Sequence, residues 1–472
     1  MIKMSVEIET EAGLLQVFAG ILGCSIPALR LLISIFLGLP FAYIHRKYFI
    51  RQSPELQHIF FIVCGIFLGS WNFGWNVGHS ALALSATYLI LLIFGGSSVS
   101  IVLSFLFNMS YLSYGYWSTS TDDYDIKWTM PHCVLTLRLI GVAFNLSDGC
   151  QDESKLSAYQ KKECLKKVPS FLELAAFVYF PGSFLVGPQF TLKRYQNYVS
   201  GLFVKESGDG WPDHMVAGAK RTVQGLGYLF MYQLGIYYMS DQYMLEKFSG
   251  HNYFSRLLLV GLWGRIHLYK YISCWLLSEG VCMTFGISYN GNDENGSTKW
   301  DGCKNVDLIR FENATQFNHY IQSFNMNTNE WCAEYIYKRL KFVGSRFASQ
   351  FLTLLFLAIW HGFHSGYYVT FFNEFIIMYF EKDVASALVK NDRLQAALKN
   401  PLAKIPVWIV LKLYTLIFMG YATAPFLLLS YTRYIKIYTS VYFTGHFIFL
   451  SYPIVAPFVK PMLRGTKKVR AD

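Results

Sequence analysis

Long apolar segments separated by short polar loops constrain this chain more than any other feature of its sequence. A helix of about 20 mostly apolar residues crosses a hydrocarbon core roughly 30 Å thick, and most of these segments reach or approach that length. We therefore predict an all-α, polytopic transmembrane helical bundle with about nine to eleven spans. The apolar segments lie at residues 13–44, 57–77, 80–95, 99–117, 131–147, 170–190, 218–247, 254–288, 347–380, 404–432 and 438–461.

Composition supports this assignment. Only 15% of the residues are charged and 53% are hydrophobic, whereas soluble domains carry about 25% charged residues. The net charge of +11 does not indicate nucleic-acid binding, because the lysines and arginines cluster in short loops, as the positive-inside rule predicts for membrane proteins. With no internal repeat or low-complexity tract in the sequence, we expect one membrane-embedded domain over residues 1–472.

The distribution of charge predicts the orientation. Residues 1–12 carry three glutamates, whereas Arg46, Lys47 and Arg51 follow the first apolar segment. We therefore expect the N-terminal segment to be lumenal, the first loop to be cytoplasmic, and residues 463–472 to form a basic cytoplasmic tail.

Two apolar segments are interrupted by polar or helix-breaking residues. Residues 170–190 contain Pro-Gly and Gly-Pro pairs at 181–182 and 187–188, and broken backbone is tolerated at membrane depth only inside protein or beside water. Ionisable groups within a span usually face the bundle interior, although snorkelling at a helix end is an alternative. Both features predict a polar internal chamber. The ionisable residues are Arg265, His267 and Lys270.

The most distinctive local feature is a histidine deep in an apolar segment. His361 follows Arg346 by 15 positions, which is about 22 Å along a helix. An intramembrane histidine is a candidate functional residue; a structural hydrogen bond or a proton relay are the alternatives. Gly362 and Gly366 form a small-xxx-small pattern that permits close helix packing. His364 shares the helical face at i+3, but no third ligand lies at matching spacing, so we expect no metal.

An asparagine-rich segment at residues 323–331 is the second candidate. Asn327 and Glu330 have capping-box spacing, which predicts a helix beginning near Thr328. Asn325 would then lie just before the helix N-terminus, where free N–H groups gather. The alternative is that these asparagines only form turns and caps.

Several catalytic motifs are missing. The sequence has no G-x-S-x-G elbow, HExxH or phosphate-binding loop, which argues against a serine hydrolase, a zinc protease and a P-loop ATPase. The nine cysteines show no CxxC pair or zinc-like spacing. The cysteine pattern is compatible with a single disulfide bond.

The combination of Trp360-His361-Gly362 deep in an apolar helix with Asn325 upstream resembles the membrane-bound O-acyltransferase (MBOAT) superfamily. Within it, the chain is most similar to the lysophosphatidylcholine acyltransferase branch. The motifs that carry this resemblance are Asp123-Tyr-Asp-Ile-Lys-Trp-Thr-Met-Pro-His-Cys133, Phe184-Leu-Val-Gly-Pro-Gln-Phe190, Lys299-Trp-Asp-Gly-Cys303, Phe324-Asn-Met-Asn-Thr-Asn-Glu-Trp331, Lys338-Arg-Leu-Lys-Phe342 and Trp360-His-Gly-Phe-His-Ser-Gly-Tyr367.

The resemblance implies a multi-pass endoplasmic-reticulum enzyme with an internal tunnel. Such an enzyme transfers a polyunsaturated acyl group from acyl-CoA to the sn-2 hydroxyl of lysophosphatidylcholine and related lysophospholipids, in phospholipid remodelling. His361 and Asn325 are implied as catalytic residues, acyl-CoA as a co-substrate, and no cofactor is expected. The C-terminus ends Lys-Lys-Val-Arg-Ala-Asp, which departs from a dilysine retrieval signal.

Other residues near these motifs are predicted to bind substrate. Charged CoA cannot cross the apolar core, so its phosphates should meet a basic cytoplasmic cluster. That cluster consists of Lys338, Arg339 and Lys341, and further substrate contacts are predicted for Trp331, Trp360 and His364.

Three alternatives stay open on the sequence. A transporter also uses broken helices and intramembrane histidines. A related acyltransferase would use a sterol, diacylglycerol or secreted protein as acceptor, and a membrane scaffold would have no activity. The partners expected are acyl-CoA, a lysophospholipid and the bilayer. The sequence does not decide between a monomer and a homo-oligomer.

Overall fold

The computed structural model describes residues 13–121, 125–207 and 212–464, and helices dominate throughout. Within these ranges there is no β-strand, only an isolated bridge between Asn292 and Thr298, so the all-α prediction is confirmed. The α-helices are α1 (Gly13–Leu22), α2 (Ile26–Ile44), α3 (Pro54–Phe73), α4 (Gly78–Phe94), α5 (Ser98–Thr119), α6 (Thr129–Gly149), α7 (Ala158–Glu163), α8 (Phe171–Val178), α9 (Leu192–Val199), α10 (Leu202–Ser207), α11 (Asp213–Tyr238), α12 (Asp241–Glu246), α13 (Tyr253–Phe285), α14 (Leu308–Glu312), α15 (Phe317–Ile321), α16 (Met326–Cys332), α17 (Arg346–His361), α18 (Ser365–Leu388), α19 (Asp392–Ala397), α20 (Pro401–Leu428), α21 (Tyr431–Ser440) and α22 (Thr444–Arg464).

Some predicted features lie outside the described residues. These are the N-terminal segment 1–12, residues 465–472 of the basic tail, and Asp123 and Tyr124 of the first motif. Short 3-10 helices and π-helical turns extend several of the α-helices. The π-helical turns are His45–Phe49 and Ala333–Tyr337, and the 3-10 helices are Gly74–Val77, Glu153–Lys155, Phe248–Gly250 and Lys338–Val343.

Several helices are long and apolar enough to cross a membrane. Among the described residues, five helical segments meet both criteria, so the prediction of a polytopic membrane protein is confirmed. Helices α5, α11, α13 and α18 have 22 to 33 residues but a more polar composition. The count of nine to eleven spans stays a prediction. The five segments are Ile26–Phe49, Pro54–Phe94, Thr129–Gly149, Pro401–Leu428 and Thr444–Arg464.

Helix α6 occupies the interior of the bundle. Most residues of α6 are buried, whereas the first half of α20 is mostly exposed. This difference explains why α6 carries the polar residues that organise its neighbours, while the outer helices carry exposed apolar side chains.

The interrupted segment is held by an arginine of α6. Helix α8 ends after eight residues, and the chain is irregular from Tyr179 to Thr191. The buried guanidinium of Arg138 donates to the carbonyl oxygens of Phe177 (3.1 Å), Ser183 (3.2 Å) and Pro188 (3.3 Å). Unpaired buried carbonyl groups are costly, so Arg138 compensates for the missing helix. The prediction that protein encloses this broken backbone is confirmed.

Helix α13 packs closely against α11, α20 and α2. Its contact with α20 depends on two glycines: a Cβ atom on Gly264 would lie only 2.5 Å from the Cα of Gly420. The two backbones therefore approach as closely as small residues allow in membrane helices.

Arg265 and His267 of α13 are buried, which favours the interior position over snorkelling at a helix end; the polar internal chamber stays a prediction. Arg265 lies 2.5 Å from Glu312 and donates to the Tyr320 hydroxyl at 2.9 Å. His267 lies 2.8 Å from Asp241. Pairing of this kind is what burial of charge requires. These contacts tie α13 to the short helices on either side of it, α12, α14 and α15.

Candidate active site

Helix α17 places His361 at its C-terminal end. Ser345 begins the helix by accepting a hydrogen bond from the Ala348 N–H (3.2 Å). Gly362 ends it with a φ of +127°, a conformation that glycine adopts readily. The helical path from Arg346 to His361 is continuous, as predicted, so the histidine lies at the opposite end of α17 from the basic loop.

The imidazole of His361 is oriented by its own helix. Its Nδ1 atom is 2.7 Å from the carbonyl oxygen of Leu357, one turn earlier. Because a carbonyl oxygen only accepts, Nδ1 carries the proton in this hydrogen bond. In the neutral ring, Nε2 therefore holds the lone pair. This is the arrangement that a general base requires.

Aromatic rings from three helices surround this imidazole. The ring centroid of His361 lies 4.6 Å from Trp360, 5.2 Å from Phe371 and from Phe426, and 5.5 Å from Tyr367. Among the described residues, no carboxylate pairs with the histidine. Apolar surroundings without a counter-charge favour the uncharged imidazole.

The chain after His361 differs from the predicted continuous helix. Helix α17 stops at Gly362, and His364 is the N-cap of α18, so the prediction that the two histidines share one helical face is wrong. The break lets α18 begin in a new direction. Close packing at Gly366 is nevertheless present, since a Cβ atom there would lie 2.0 Å from the Pro425 carbonyl oxygen.

Trp360 anchors the end of α17 to two neighbouring helices. Its indole Nε1–H donates to the carbonyl oxygen of Cys133 in α6 (2.9 Å), and its own carbonyl oxygen accepts from the Tyr116 hydroxyl of α5 (2.9 Å). Trp360 is buried. Its polar groups therefore position His361, and the predicted substrate contact stays a prediction.

Asn325 lies at the N-cap of α16 in the left-handed conformation, with a φ of +52°. The prediction that it immediately precedes a helix is confirmed, but the predicted start near Thr328 is wrong, because the helix begins at Met326. Asn327 is consequently inside the helix and forms no capping box with Glu330. Asparagine tolerates the left-handed region better than most residues, so Asn325 itself turns the chain into α16.

Asn305 positions Asn325, and sequence inspection did not identify it. Its Nδ2 group lies 3.4 Å from the Asn325 Oδ1 atom, which assigns Oδ1 as the acceptor and leaves Nδ2 of Asn325 as a donor. The Asn305 carbonyl and Oδ1 oxygens accept from the N–H groups of Met326 (2.9 Å) and Asn327 (3.0 Å). Asn305 therefore fixes the first turn of α16 as well as its cap.

A buried ion pair in turn holds Asn305. The carboxylate of Glu279 accepts from the N–H groups of Asn305 (2.9 Å) and Val306 (3.1 Å), and Arg221 donates to it through Nε at 2.7 Å. A carboxylate inside the apolar 254–288 segment was the available sequence signal for Glu279. For Asn305, the signal was its position two residues after the motif that ends at Cys303.

Ring contacts connect the two candidate residues. Phe324, adjacent to Asn325, contacts Tyr271 at 6.5 Å; Tyr271 contacts Phe426 at 6.2 Å; and Phe426 contacts His361 at 5.2 Å. A row of ring contacts through α13 and α20 therefore links the residue next to Asn325 with His361 at the end of α17.

Trp331 joins α16 to α17. Its ring lies 5.8 Å from Phe356 of α17 and 5.2 Å from Tyr335. Among the described residues, no acceptor pairs with its buried Nε1–H group. Trp331 fixes the spacing of the two helices, and its predicted contact with substrate stays a prediction.

The three residues of the basic cluster predicted to contact CoA differ in their surroundings and partners. Arg339 forms two hydrogen bonds with the buried carboxylate of Asp148 (2.9 and 2.5 Å), and Lys338 pairs with Glu334. Lys341 is exposed, and no carboxylate in the described part of the chain pairs with it. Lys341 is therefore the member of this cluster best placed to meet a phosphate group.

Replacing Asn305 by Ala is expected to lower kcat about 10- to 100-fold. Loss of its side chain removes hydrogen bonds to Asn325 and Asn327, and small displacements of catalytic groups cost activity on that scale. Turnover of purified N305A is compared with N295A, which removes an exposed amide of the neighbouring loop. Equal turnover of N305A and wild type would show that Asn305 does not position Asn325.

Metal binding has no support in the described residues, where no three His, Cys, Asp or Glu side chains form a group able to hold an ion. That the chain uses no cofactor stays a prediction.

Comparison with known proteins gives a family and several relatives. The model of the membrane-bound O-acyltransferase family matches residues 113–424, a range that includes His361, Asn325 and Asn305. The chain is 42% identical over 451 residues to human lysophospholipid acyltransferase 5, which covers 95% of this chain and 92% of the relative.

Two invertebrate relatives carry the same name. Lysophospholipid acyltransferase 5 of Drosophila melanogaster is 43% identical over 444 residues, covering 93% of this chain and 88% of the relative. That of Caenorhabditis elegans is 33% identical over 463 residues, covering 98% of each. The similarity therefore extends over nearly the whole length.

Proposed function

The chain belongs to the membrane-bound O-acyltransferase family, and we propose that it transfers a fatty acyl group from acyl-CoA to the hydroxyl group of a lysophospholipid. The observation that carries this proposal is the orientation of His361, whose Nδ1 is held by Leu357 so that Nε2 is left with a lone pair. The relatives' names support a lysophospholipid as acceptor.

In the proposed reaction, His361 Nε2 removes the proton of the acceptor hydroxyl as its oxygen attacks the thioester carbonyl. The new C–O bond forms, the C–S bond breaks, and the CoA thiolate takes the proton from the imidazolium. A positioned base contributes typically 10²- to 10⁴-fold to such a step. The aromatic rings around His361 shield part of its imidazole from solvent.

Asn325 is the second residue proposed to act in the reaction. Its Nδ2 group remains a donor because Asn305 contacts Oδ1, and we place it against the oxygen that becomes negative during attack. One donor of this kind is worth about 3–4 kcal/mol. The ring contacts between Phe324, Tyr271, Phe426 and His361 support one shared site.

The transfer is proposed to be direct. Neither His361 nor Asn325 has a cysteine or serine next to it in sequence, which favours direct transfer over an acyl-enzyme. Trapping a covalent acyl-protein after a single turnover would contradict direct transfer.

The finer assignment is a polyunsaturated acyl group transferred to the sn-2 hydroxyl of lysophosphatidylcholine, in the endoplasmic reticulum membrane. Its support is the branch resemblance of the motifs around Asn325 and His361. The test is competition: unlabelled lysophosphatidylcholine should suppress labelled acyl transfer, and a sterol or diacylglycerol should not. Suppression by the sterol or diacylglycerol alone would move the acceptor to another lipid class.

Replacing Lys341 by Gln is expected to raise the KM for acyl-CoA several-fold and leave the KM for lysophospholipid unchanged, because each lost phosphate contact weakens binding of CoA only. Steady-state kinetics with each substrate varied in turn measures this. Arg339→Gln is the matched comparison: it should lower thermal stability, because removing one partner of a buried pair costs roughly 3 kcal/mol. An unchanged KM for acyl-CoA in K341Q would remove Lys341 from the CoA site.

A transporter is the second candidate on sequence, because broken helices and intramembrane histidines suit it equally. Substrate-dependent flux in proteoliposomes lacking CoA would favour transport. The orientation of His361 for proton abstraction and the family match favour acyl transfer.

A further inference from the structure

A polar cavity of about 810 Å³ lies away from the ring contacts of His361 and Asn325. It is lined by α2, the ends of α3 and α5, the beginning of α4 and described residues of the segment between α5 and α6. Its volume is typical of a site for a small molecule or a lipid headgroup. The lining residues that carry the inference are Arg30, Asn72, Asn76, His79, Lys127 and Trp128.

Arg30 contributes an uncompensated positive charge to this cavity. Its guanidinium lies 5.4 Å from the ring of Trp71. In the described part of the chain, no carboxylate pairs with it and its buried Nε–H has no acceptor. Lys127, by contrast, is neutralised by Asp125 at 2.9 Å. Arg30 is only partly buried and lines the cavity, so its guanidinium donors can bind an anion there.

A second unpartnered group lies beside the cavity. His132 is only 2% exposed, and among the described residues neither of its ring nitrogens has a hydrogen-bond partner. It lines a small void that shares Phe73, Asn76 and Trp128 with the main cavity. Buried polar groups in proteins are normally satisfied, often by an ordered water, and this void of about 10 Å³ has room for a single water molecule beside His132.

The surroundings of the cavity are those of a membrane interface. Trp75 is fully exposed and Trp117 is 72% exposed, and exposed tryptophans typically mark the level of the lipid headgroups. Arg30 lies about 24 Å from the basic residue Arg46, measured along α2 and the helical turn that follows it. The cavity therefore lies at the end of the bundle away from the basic first loop.

Helix α5 contacts both the cavity and the end of α17. Tyr116 of α5 donates to the Trp360 carbonyl oxygen, while Tyr114 and Ser118, on either side of it in sequence, line the cavity. A ligand in the cavity would thus lie at nearly the same depth as His361, on the other face of α5.

We propose that this cavity binds the phosphate group of a phospholipid headgroup, with Arg30 as its charged contact. The phosphate belongs either to a lysophospholipid on its way to the active site or to a diacyl phospholipid of the bilayer. The proposal concerns binding and goes beyond the proposed acyl transfer.

The test is equilibrium binding to the purified full-length protein in detergent, with acyl-CoA absent. The probes are labelled 1-palmitoyl-lysophosphatidylcholine, diheptanoylphosphatidylcholine and, as a phosphate-free control, 1-palmitoylglycerol. Arg30→Gln should weaken binding of at least one phosphate-bearing probe about 10-fold, the scale of a charge-assisted contact, and leave 1-palmitoylglycerol unchanged. Asn76→Ala, a milder change in the same cavity, should weaken binding of the same phosphate-bearing probe about 2- to 3-fold. Arg393→Gln, an exposed arginine elsewhere, should bind all three like wild type.

Each outcome decides the proposal. Equal binding of both phosphate-bearing probes by wild type and R30Q, or an equal loss of 1-palmitoylglycerol, would overturn it. If the proposal holds, a raised KM for lysophosphatidylcholine in R30Q assigns the site to the acceptor, and an unchanged KM assigns it to a bilayer phospholipid. Because binding is measured without turnover, failure of the proposed acyl transfer would appear separately, as inactivity of wild type.

Discussion

Replacing His361 by Gln should reduce acyl transfer by at least 100-fold and by up to about 10⁴-fold, the range that a general base contributes. Glutamine is close to histidine in size and retains a donor for the Leu357 carbonyl oxygen, which accepts at 2.7 Å in the native protein. It has no nitrogen lone pair to remove the hydroxyl proton. The measurement is kcat of purified H361Q, with protein amount and thermal stability matched to wild type.

His251→Gln is the matched control for this variant. His251 is an exposed residue whose side chain pairs with the Tyr243 hydroxyl, so its substitution should leave kcat unchanged. Near-native turnover in H361Q would leave the histidine a structural role and would contradict the mechanism.

Removing the amide of Asn325 should reduce kcat about 10²- to 10³-fold, the cost of losing one donor to a developing oxyanion. The positive φ of this residue complicates Asn325→Ala, because alanine also pays roughly 1–2 kcal/mol for the left-handed conformation. Asn325→Gly avoids that cost and keeps the turn into α16. Asn325→Asp keeps the shape and replaces the donor with an oxygen.

The three variants together separate the two roles of Asn325. If the amide donor matters, glycine, aspartate and alanine should all show the loss in kcat, with folding best preserved in the glycine variant. If N325G retained most of the turnover, Asn325 would serve only to shape the backbone.

The long apolar helices could be predicted from the sequence because their length and composition depend on the bilayer, whatever the tertiary contacts. The interrupted segment was also predictable, because two proline-glycine pairs cannot continue a helix. That Arg138 supplies its hydrogen bonds could not be predicted, because α6 contributes this residue from about 40 positions away.

The break after His361 was missed because residues 347–380 form one apolar run. Glycines at 362 and 366 fit a closely packed helix as well as a helix end, and periodicity cannot distinguish the two. The contact of Gly366 with the Pro425 carbonyl, which constrains where α18 begins, is a tertiary property.

The candidate catalytic pair could be identified from motif and depth, but its supporting residues could not. Glu279, Asn305 and Arg221 are brought together by loops and helices far apart in sequence. Arg339 and Asp148 are 191 positions apart and show the same limit. The basic cluster predicted a phosphate contact for Arg339, but in the structure a buried carboxylate pairs with this arginine.

The measurement that tests the central claim most directly is acyl transfer from a labelled polyunsaturated acyl-CoA to lysophosphatidylcholine, in membranes containing equal amounts of wild type or H361Q. We expect labelled phosphatidylcholine from wild type and at most one hundredth of it from H361Q. Equal product from the two proteins, or no acylation of any lysophospholipid by wild type, would contradict the proposed function.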